Sequence, residues 1–202
     1  MPTFETASTP AVHLGSPKTA DAACGGNPWA STVLDTFRYL VQHAGLAQHG
    51  VKVIMHNTLA GSEYGLLYEN TFTPRPNYWV ALLWRKLMGS TVLDPHIPEG
   101  ENAYVYAHCL RDHPGGVVLL IVNADQQRTY DITLRSESER YTISAATLQD
   151  TSVRLNGNLL KLGSGGDLPQ LQGQLTRAGR LSFAPSSITF LSLASASNSA
   201  CR

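Results

Sequence analysis

The sequence predicts an α/β segment followed by an all-β segment. The stretch from Val51 to Gly89 reads as a short apolar strand, a polar loop and an amphipathic helix, which is the order of one unit of a (β/α)8 TIM barrel. From Thr91 onward, short β-type runs alternate with Gly, Pro, Asn and Asp clusters, which is typical of an antiparallel β-sandwich. We therefore expect two domains, residues 1–90 and 91–202.

The composition indicates a globular protein without a marked charge. Of the 202 residues, 43% are hydrophobic and 15% are charged, and the formal net charge is +0. This balance gives no electrostatic reason to expect nucleic acid or an acidic membrane surface as a partner. No apolar run approaches the ~20 residues of a membrane helix. The first ten residues also lack the basic and apolar regions of a signal peptide.

The α/β segment contains two predicted helices with a strand between them. Residues 7–27 are rich in small and turn-forming residues and predict a long loop of the kind that is often functional. A helix is expected over 28–44, with Pro28 in its first turn and Gly45 or Gly50 as its stop. Its apolar stripe consists of Leu34, Phe37, Val41 and Ala44.

The apolar run Val51–Met55 predicts a strand that is covered on both faces. A second helix follows, with Asn77 as the expected N-cap and Gly89 as the expected stop. Its apolar stripe consists of Val80, Leu83, Trp84 and Leu87. At this helical spacing we expect Tyr78, Trp79 and Trp84 to lie in the core and not to form a sugar-stacking platform.

Eight β runs are predicted in the second segment, and Asn156-Gly157 predicts a two-residue hairpin turn between two of them. The runs are 103–109, 117–123, 129–134, 141–148, 152–155, 159–162, 181–183 and 188–193.

Three cysteines are present, at positions 24, 109 and 201, and none forms a Cys-x-x-Cys pair. The histidines are dispersed and show no metal-ligand spacing, so we expect no metal and no cofactor. Spacing alone is compatible with one disulfide and a free thiol, or with three reduced thiols.

Short matches along the whole chain, in order, resemble one protein family. They are Glu5-Thr6-Ala7, Gly25-Gly26, Asp35-Thr36-Phe37, Val53-Ile54-Met55, Glu63-Tyr64-Gly65, Pro76-Asn77-Tyr78-Trp79, Lys86-Leu87-Met88-Gly89, Tyr106-Ala107-His108-Cys109, Ser152-Val153-Arg154-Leu155-Asn156-Gly157 and Ala200-Cys201. Together they are similar to the C-terminal part of the heparanase-like glycosidases, glycoside hydrolase family 79. The resemblance implies a (β/α)8 barrel with an appended β-sandwich, of which this chain holds the last two βα units and most of the sandwich.

The resemblance implies a retaining glycosidase that cleaves β-glucuronidic linkages, either as a β-glucuronidase or as a heparanase-like endo-enzyme. The substrate is then a glucuronic-acid-containing oligosaccharide or glycosaminoglycan. Glu5 matches the family nucleophile at the end of barrel strand seven. The acid/base carboxyl of the family lies on strand four, which this chain does not contain, and neither Glu63 nor Glu69 matches it. Retaining hydrolysis needs both groups, so the isolated chain is expected to be inactive.

The family also implies residues that bind the substrate. Gly25 and Gly26 match a turn whose backbone N–H groups face the substrate carboxylate, which glycine permits because it has no Cβ. Tyr64 matches a tyrosine whose hydroxyl reaches the same carboxylate. His56 and Asn57, just after the predicted strand, are placed to contact sugar hydroxyls or to orient Glu5.

Cys109 and Cys201 match cysteines that tie the sandwich to the C-terminal tail in relatives. Such a bridge would close a loop of about 90 residues and stabilise the fold by ~4 kcal/mol. It implies an oxidising compartment and hence a secreted or periplasmic protein whose signal peptide is not in this chain. The resemblance gives Cys24 no role.

Two alternatives stay open at this point. The chain could be a non-catalytic carbohydrate- or partner-binding remnant, or a subunit that needs an N-terminal barrel half. A partial barrel exposes a strand edge and apolar surface, which predicts assembly or aggregation of the isolated chain.

Overall fold

A computed structural model describes residues 5–6, 18–19, 25–98 and 100–202. Most of the predicted loop 7–27, with Cys24, lies outside these residues. The two helices are α1 (Val33–Gln48) and α2 (Pro76–Leu87). The strands are β1 (Glu5–Thr6), β2 (Lys18–Thr19), β3 (Met55–His56), β4 (Met88–Asp94), β5 (Ala103–Leu110), β6 (Val117–Asn123), β7 (Tyr130–Leu134), β8 (Ser138–Ser144), β9 (Arg154–Leu155), β10 (Asn158–Leu159), β11 (Gln174–Thr176), β12 (Gly179–Phe183) and β13 (Ser187–Leu193).

Helix α1 begins five residues later than predicted, because residues 28–31 form a turn. The N–H groups of its first two residues donate to carbonyls of the segment that follows β8. Val33 N donates to Asp150 O and Leu34 N donates to Leu148 O, both at 2.8 Å. Strand β8 ends at Ser144 and does not continue to Leu148 as predicted, because residues 146–149 form a bend and a turn in which the backbone N–H groups of Ala146 and Thr147 donate to the Asp150 carboxylate. The helix ends before Gly50, which has a φ of 82° and supplies the predicted stop.

Helix α2 differs from the prediction at both ends. Pro76 is its first residue and Arg75 its N-cap, so the prediction of Asn77 as N-cap was wrong. The Asn77 amide instead donates to Asp35 Oδ2 at 2.5 Å and ties α2 to α1. Gly89 does not stop the helix but lies in β4, where an added Cβ would meet Cys109 O at 2.5 Å. Glycine is needed there because β4 and β5 approach closely.

Most of the strands form one large antiparallel sheet in the order β1-β4-β5-β6-β13-β8-β9-β10, with β11 also paired to β8. Strands β6 and β13 are buried along their whole length; β6 is apolar from Val117 to Val122, whereas β13 also buries Ser187, Thr189 and Ser192. One face of the sheet shares a core with α1 and α2, which includes Trp79 and packs Tyr78 and Trp84 against it, so their predicted core role is confirmed. The other face is covered by the two-stranded sheet β7–β12.

Most predicted β runs are strands in the structure, and the Asn156-Gly157 hairpin between β9 and β10 is confirmed. Both turn residues have positive φ, 49° and 85°, as a two-residue turn of this kind requires. Strands β2, β4 and β11 were not predicted, and β2 lies within the segment 7–27 that was predicted as a loop.

The strand predicted over 51–55 was wrong in its extent. Only Met55–His56 form a strand, β3, which pairs in parallel with β2. Val51 is buried, but Val53 and Met55 are each 53% exposed. A strand that is covered on both faces needs neighbours along its length, and within the described residues β3 has a two-residue partner.

The C-terminal tail is held against the turn between β5 and β6. Cys109 and Cys201 form a disulfide with a Cα–Cα distance of 5.2 Å, which confirms the predicted pair. Gly115 N donates to Cys201 O, and Asn198 N donates to Gly115 O at 2.8 Å. The tail is therefore fixed by covalent and backbone contacts together.

The described fold is mainly an antiparallel sheet with two helices. The barrel, the sandwich as a separate domain and the boundary at residue 90 stay predictions. In the described part of the chain, no helix is long and apolar enough to cross a membrane. The described residues also hold no cluster of three or more His, Cys, Asp or Glu side chains that could bind a metal.

Candidate functional site

The polar loop between β3 and α2 folds over the Gly25-Gly26 turn. Gly26 N–H donates to the Glu63 carboxylate through Oε1. Gly25 and Gly26 have φ values of 81° and 88°, a backbone region that favours glycine. A Cβ on Gly25 would lie 2.3 Å from Glu63 Oε1, so the absence of a side chain lets the carboxylate approach. The turn thus presents a backbone N–H to a carboxylate.

Arg75 fixes the backbone of this loop. It is only 6% exposed, and its Nη1 donates to Ser31 Oγ at 2.6 Å, to Ser62 O at 2.9 Å and to Glu63 O. Its guanidinium also lies over the Tyr68 ring, 4.4 Å from the centroid. Because one buried cation holds two successive carbonyls, the position of the neighbouring Tyr64 is set as well.

The predicted residues His56, Asn57 and Tyr64 lie together. Asn57 Nδ2 donates to Tyr64 Oη at 3.2 Å, and His56 Nε2 donates to Tyr64 O at 3.1 Å. Since the Tyr64 oxygen accepts from Asn57, its own O–H hydrogen can be donated to another acceptor. Tyr64 is therefore a second donor that follows directly after Glu63 in the chain.

His56 is held as a neutral, structural side chain. Burial lowers its pKa, although the hydrogen bond to Tyr64 O acts in the opposite direction. Its Nδ1 is buried and has no hydrogen-bond partner among the described residues. Its ring packs edge-on against Tyr39 of α1, with 5.3 Å between the centroids. These contacts support the loop from below.

The helix beneath the loop carries its own ionic network. Asp35 is 3% exposed and accepts from Arg38 Nε at 2.5 Å and from the Asn77 amide. This network joins α1 to α2 close to the start of α2, where Arg75 is anchored. The loop is thus attached to a rigid pair of helices.

The backbone of Glu5 lies in β1, opposite Asp94 of β4, in antiparallel pairing. The position of Glu5 at the end of barrel strand seven stays a prediction. The nucleophile assignment stays a prediction.

Sequence reasoning missed the two residues that organise the loop. Glu63 was part of the family resemblance and was rejected as the acid/base group, but no contact with Gly26 was expected, and Arg75 was not considered. Their contacts span 37 residues to Gly26 and 44 residues to Ser31. Nothing in the sequence next to Arg75, which directly precedes the first residue of α2, indicates that its side chain anchors the loop.

Curated proteins that resemble the chain belong to one group. Baicalin-β-D-glucuronidase of Scutellaria baicalensis is 36% identical over 172 residues, which are 81% of this chain and 32% of that protein. Heparanase-like protein 1 of Arabidopsis thaliana is 32% identical over 88% of this chain and 40% of its own length. The chain is related to the heparanase-like proteins of glycoside hydrolase family 79.

The chain spans 32% and 40% of the lengths of these two curated relatives. Inactive heparanase-2 of Homo sapiens is also similar, at 28% identity over 90% of this chain and 35% of that protein. No family model matches the sequence.

Solved glycoside hydrolases share the fold of the heparanase-like chain. A thermostable GH51 α-L-arabinofuranosidase from Thermotoga petrophila has a TM-score of 0.57 at 10% identity over 80% of this chain and 37% of its own. The GH30 xylanase Xyn30A from Clostridium acetobutylicum has a TM-score of 0.54 at 14% identity over 87% of this chain and 41% of its own. At these identities the likeness extends to the fold alone.

Proposed function

We propose that the chain is part of a retaining glycoside hydrolase that acts on β-glucuronides or glucuronic-acid-containing glycans. The observation that carries this proposal is the Gly25-Gly26 turn, whose Gly26 N–H binds a carboxylate, here that of Glu63, in the loop that also carries the Tyr64 hydroxyl. A uronate differs from a neutral sugar by its carboxylate, and charge-assisted hydrogen bonds from N–H and O–H donors are suited to recognise it. The family relationship supports the same substrate class.

In this proposal Glu5 is the nucleophile. Its carboxylate forms a bond to the anomeric carbon while the glycosidic C–O bond breaks, and the leaving oxygen takes a proton from a second carboxyl group. Water then cleaves the glycosyl–enzyme bond with the second group acting as base. We propose that this second group is supplied from outside these 202 residues, because neither Glu63 nor Glu69 matches it.

The remaining site residues would position the groups that donate hydrogen bonds to the substrate carboxylate. Asn57 would orient the Tyr64 hydroxyl through the amide that donates to it, and His56 would hold the Tyr64 backbone. Arg75 would hold the loop backbone in place next to Gly26 through its hydrogen bonds to the loop carbonyls. None of these three roles needs a charged or reactive side chain at the sugar itself.

The setting that we propose is a secreted or periplasmic protein. The Cys109–Cys201 disulfide supports this, because structural disulfides persist in oxidising compartments. The exposed apolar side chains of Val53 and Met55 support a further barrel segment that packs on this side of β3.

A second candidate is a non-catalytic glycan-binding protein, and the similarity to inactive heparanase-2 favours it. A mechanism-based glucuronide probe separates the two candidates, since it bonds covalently to the nucleophile of a retaining enzyme. It should be applied to the protein expressed with its upstream coding region, and the adduct should be mapped by mass spectrometry.

We expect the adduct on Glu5, its loss in Glu5→Gln and its retention in the control Glu69→Gln. Glucuronide binding without any adduct would support the glycan-binding protein instead. An adduct on another carboxylate would overturn the assignment of Glu5.

A further inference from the structure

The Gly26 N–H that we assign to the substrate carboxylate is already occupied by the chain itself. Glu63 Oε1 accepts from it, and the same oxygen packs where a Gly25 side chain would be. The backbone of Glu63 is fixed through its carbonyl, which accepts from Ser31 Oγ and from Arg75 Nη1. The carboxylate is exposed and can rotate about its side-chain bonds while that backbone stays in place.

We propose that Glu63 is a specificity-determining residue whose carboxylate competes with a substrate carboxylate for the Gly26 N–H. A uronate must displace Glu63 to bind, whereas a neutral sugar has no carboxylate to place there. The identification of Gly26 as the substrate's carboxylate site rests on the proposed function, but the occupation of Gly26 by Glu63 does not.

The charges around the site favour competition over joint binding. One N–H makes one strong hydrogen bond, and two carboxylates at this distance repel each other. Arg75 is the cation that faces Glu63, but its Nη1 is engaged by Ser31, Ser62 and the Glu63 carbonyl. The Gly26 N–H, and to a smaller extent Arg75, hold the pKa of Glu63 below its usual range, so the competing group is charged at neutral pH.

The occupied N–H can be observed without any sugar. In the ¹⁵N-labelled protein, expressed with its upstream coding region, the Gly26 amide shift should follow the titration of Glu63 as the pH is lowered. Glu63→Ala should make that shift independent of pH, and the control Glu69→Ala should leave the titration unchanged. Glu69 is a suitable control because it is exposed and lies in the same loop.

The competition is tested by titrating the same proteins with methyl β-D-glucuronide and methyl β-D-glucoside. We expect Glu63→Ala to bind the glucuronide about 3- to 10-fold more tightly than the unmodified chain, the value of one exposed charge-assisted hydrogen bond. Its affinity for the glucoside should not change. Glu63→Gln keeps the acceptor but removes the charge, so its affinity for the glucuronide should be intermediate.

Equal or weaker glucuronide binding by Glu63→Ala would overturn the proposal, as would a Gly26 amide that does not respond to Glu63. A covalent adduct on Glu5, without tighter glucuronide binding by Glu63→Ala, would support the proposed hydrolase and contradict the proposed competition. A gain in Glu63→Ala without any adduct would support the competition and remove the hydrolase.

Discussion

At the residue scale, missing side-chain atoms are as important as the charged groups. Gly25 allows the Glu63 carboxylate to reach Gly26 because no Cβ stands between them. Gly89 allows β4 to approach the Cys109 carbonyl in the same way. The resemblance predicted a role for the Gly25-Gly26 pair. It did not predict the hydrogen bond from Gly26 to the Glu63 carboxylate, because Glu63 lies 37 residues away in the sequence. His56, Asn57 and Tyr64 are close in sequence and lie together in the structure, and their roles toward a substrate stay predictions.

Gly25→Ala should combine a backbone cost with a lost contact. Its φ of 81° should cost about 1–2 kcal/mol in the free energy of unfolding, and the new methyl should push Glu63 away from Gly26. Gly50→Ala is the matched control, because its φ is 82° and no atom lies within 4 Å of an added Cβ. Urea unfolding and the Gly26 amide shift should be measured in both variants. An unchanged Gly26 amide in Gly25→Ala would contradict this account.

Replacement of Arg75 should loosen the loop above Gly26. Arg75→Met removes the group that donates hydrogen bonds to two backbone carbonyls and to Ser31 Oγ. We therefore expect the free energy of unfolding to fall by about 2–4 kcal/mol. The exposed Arg85 near the end of α2 is the control, and Arg85→Met should change the free energy of unfolding by less than about 0.5 kcal/mol. Similar urea midpoints for the two variants would show that Arg75 does not anchor the loop.

At the element scale, periodic patterns predicted which segments form helices and strands, but contacts between segments decided where they end. The stripes of α1 and α2 follow from local spacing, and the Asn156-Gly157 turn follows from local backbone preference. The end of β8 could not be predicted, because the segment after it contacts a distant helix. There the carbonyls of Leu148 and Asp150 accept hydrogen bonds from the first turn of α1. Strand β4 was missed because it follows α2 directly, without the turn residues that usually separate two elements.

The disulfide should contribute most of the stability of the C-terminal tail. It joins residues 92 positions apart, so Cys201→Ser should lower the free energy of unfolding by ~4 kcal/mol through the larger entropy of the unfolded chain. Reduction of the unmodified protein should give the same loss, measured by urea unfolding with and without reductant. Ser199→Ala, at an exposed neighbouring position, is the control. A reductant-insensitive midpoint would contradict the assigned role.

At the scale of the whole molecule, an aromatic core connects the loop to the sheet. His56 contacts Tyr39, Tyr39 lies 4.0 Å from His43, and Trp84 lies 5.3 Å from His108, measured between ring centroids. Burial lowers the pKa of all three histidines, that of His43 to about 4. The sequence showed the histidines as dispersed, and only the packing of two helices on the sheet brings them into one core.

The stability of the fold should therefore depend on pH. A histidine with a lowered pKa binds protons more readily in the unfolded chain, so stability is complete above about pH 6.5 and falls as the pH decreases toward about 4. For His43 we expect a loss of about 2–3 kcal/mol across this window. Urea unfolding at several pH values should show a smaller slope in His43→Gln than in the exposed control His113→Gln. Identical slopes would contradict the prediction.

A crystal structure of the full-length protein, trapped as its glucuronyl adduct, would test the proposed uronate site and its competition with Glu63 together. We expect the sugar on Glu5, its carboxylate within hydrogen-bond distance of Gly26 N and Tyr64 Oη, and the Glu63 side chain turned away from Gly26. A sugar carboxylate bound elsewhere, with Glu63 still on Gly26, would show that Gly26 is not the uronate site.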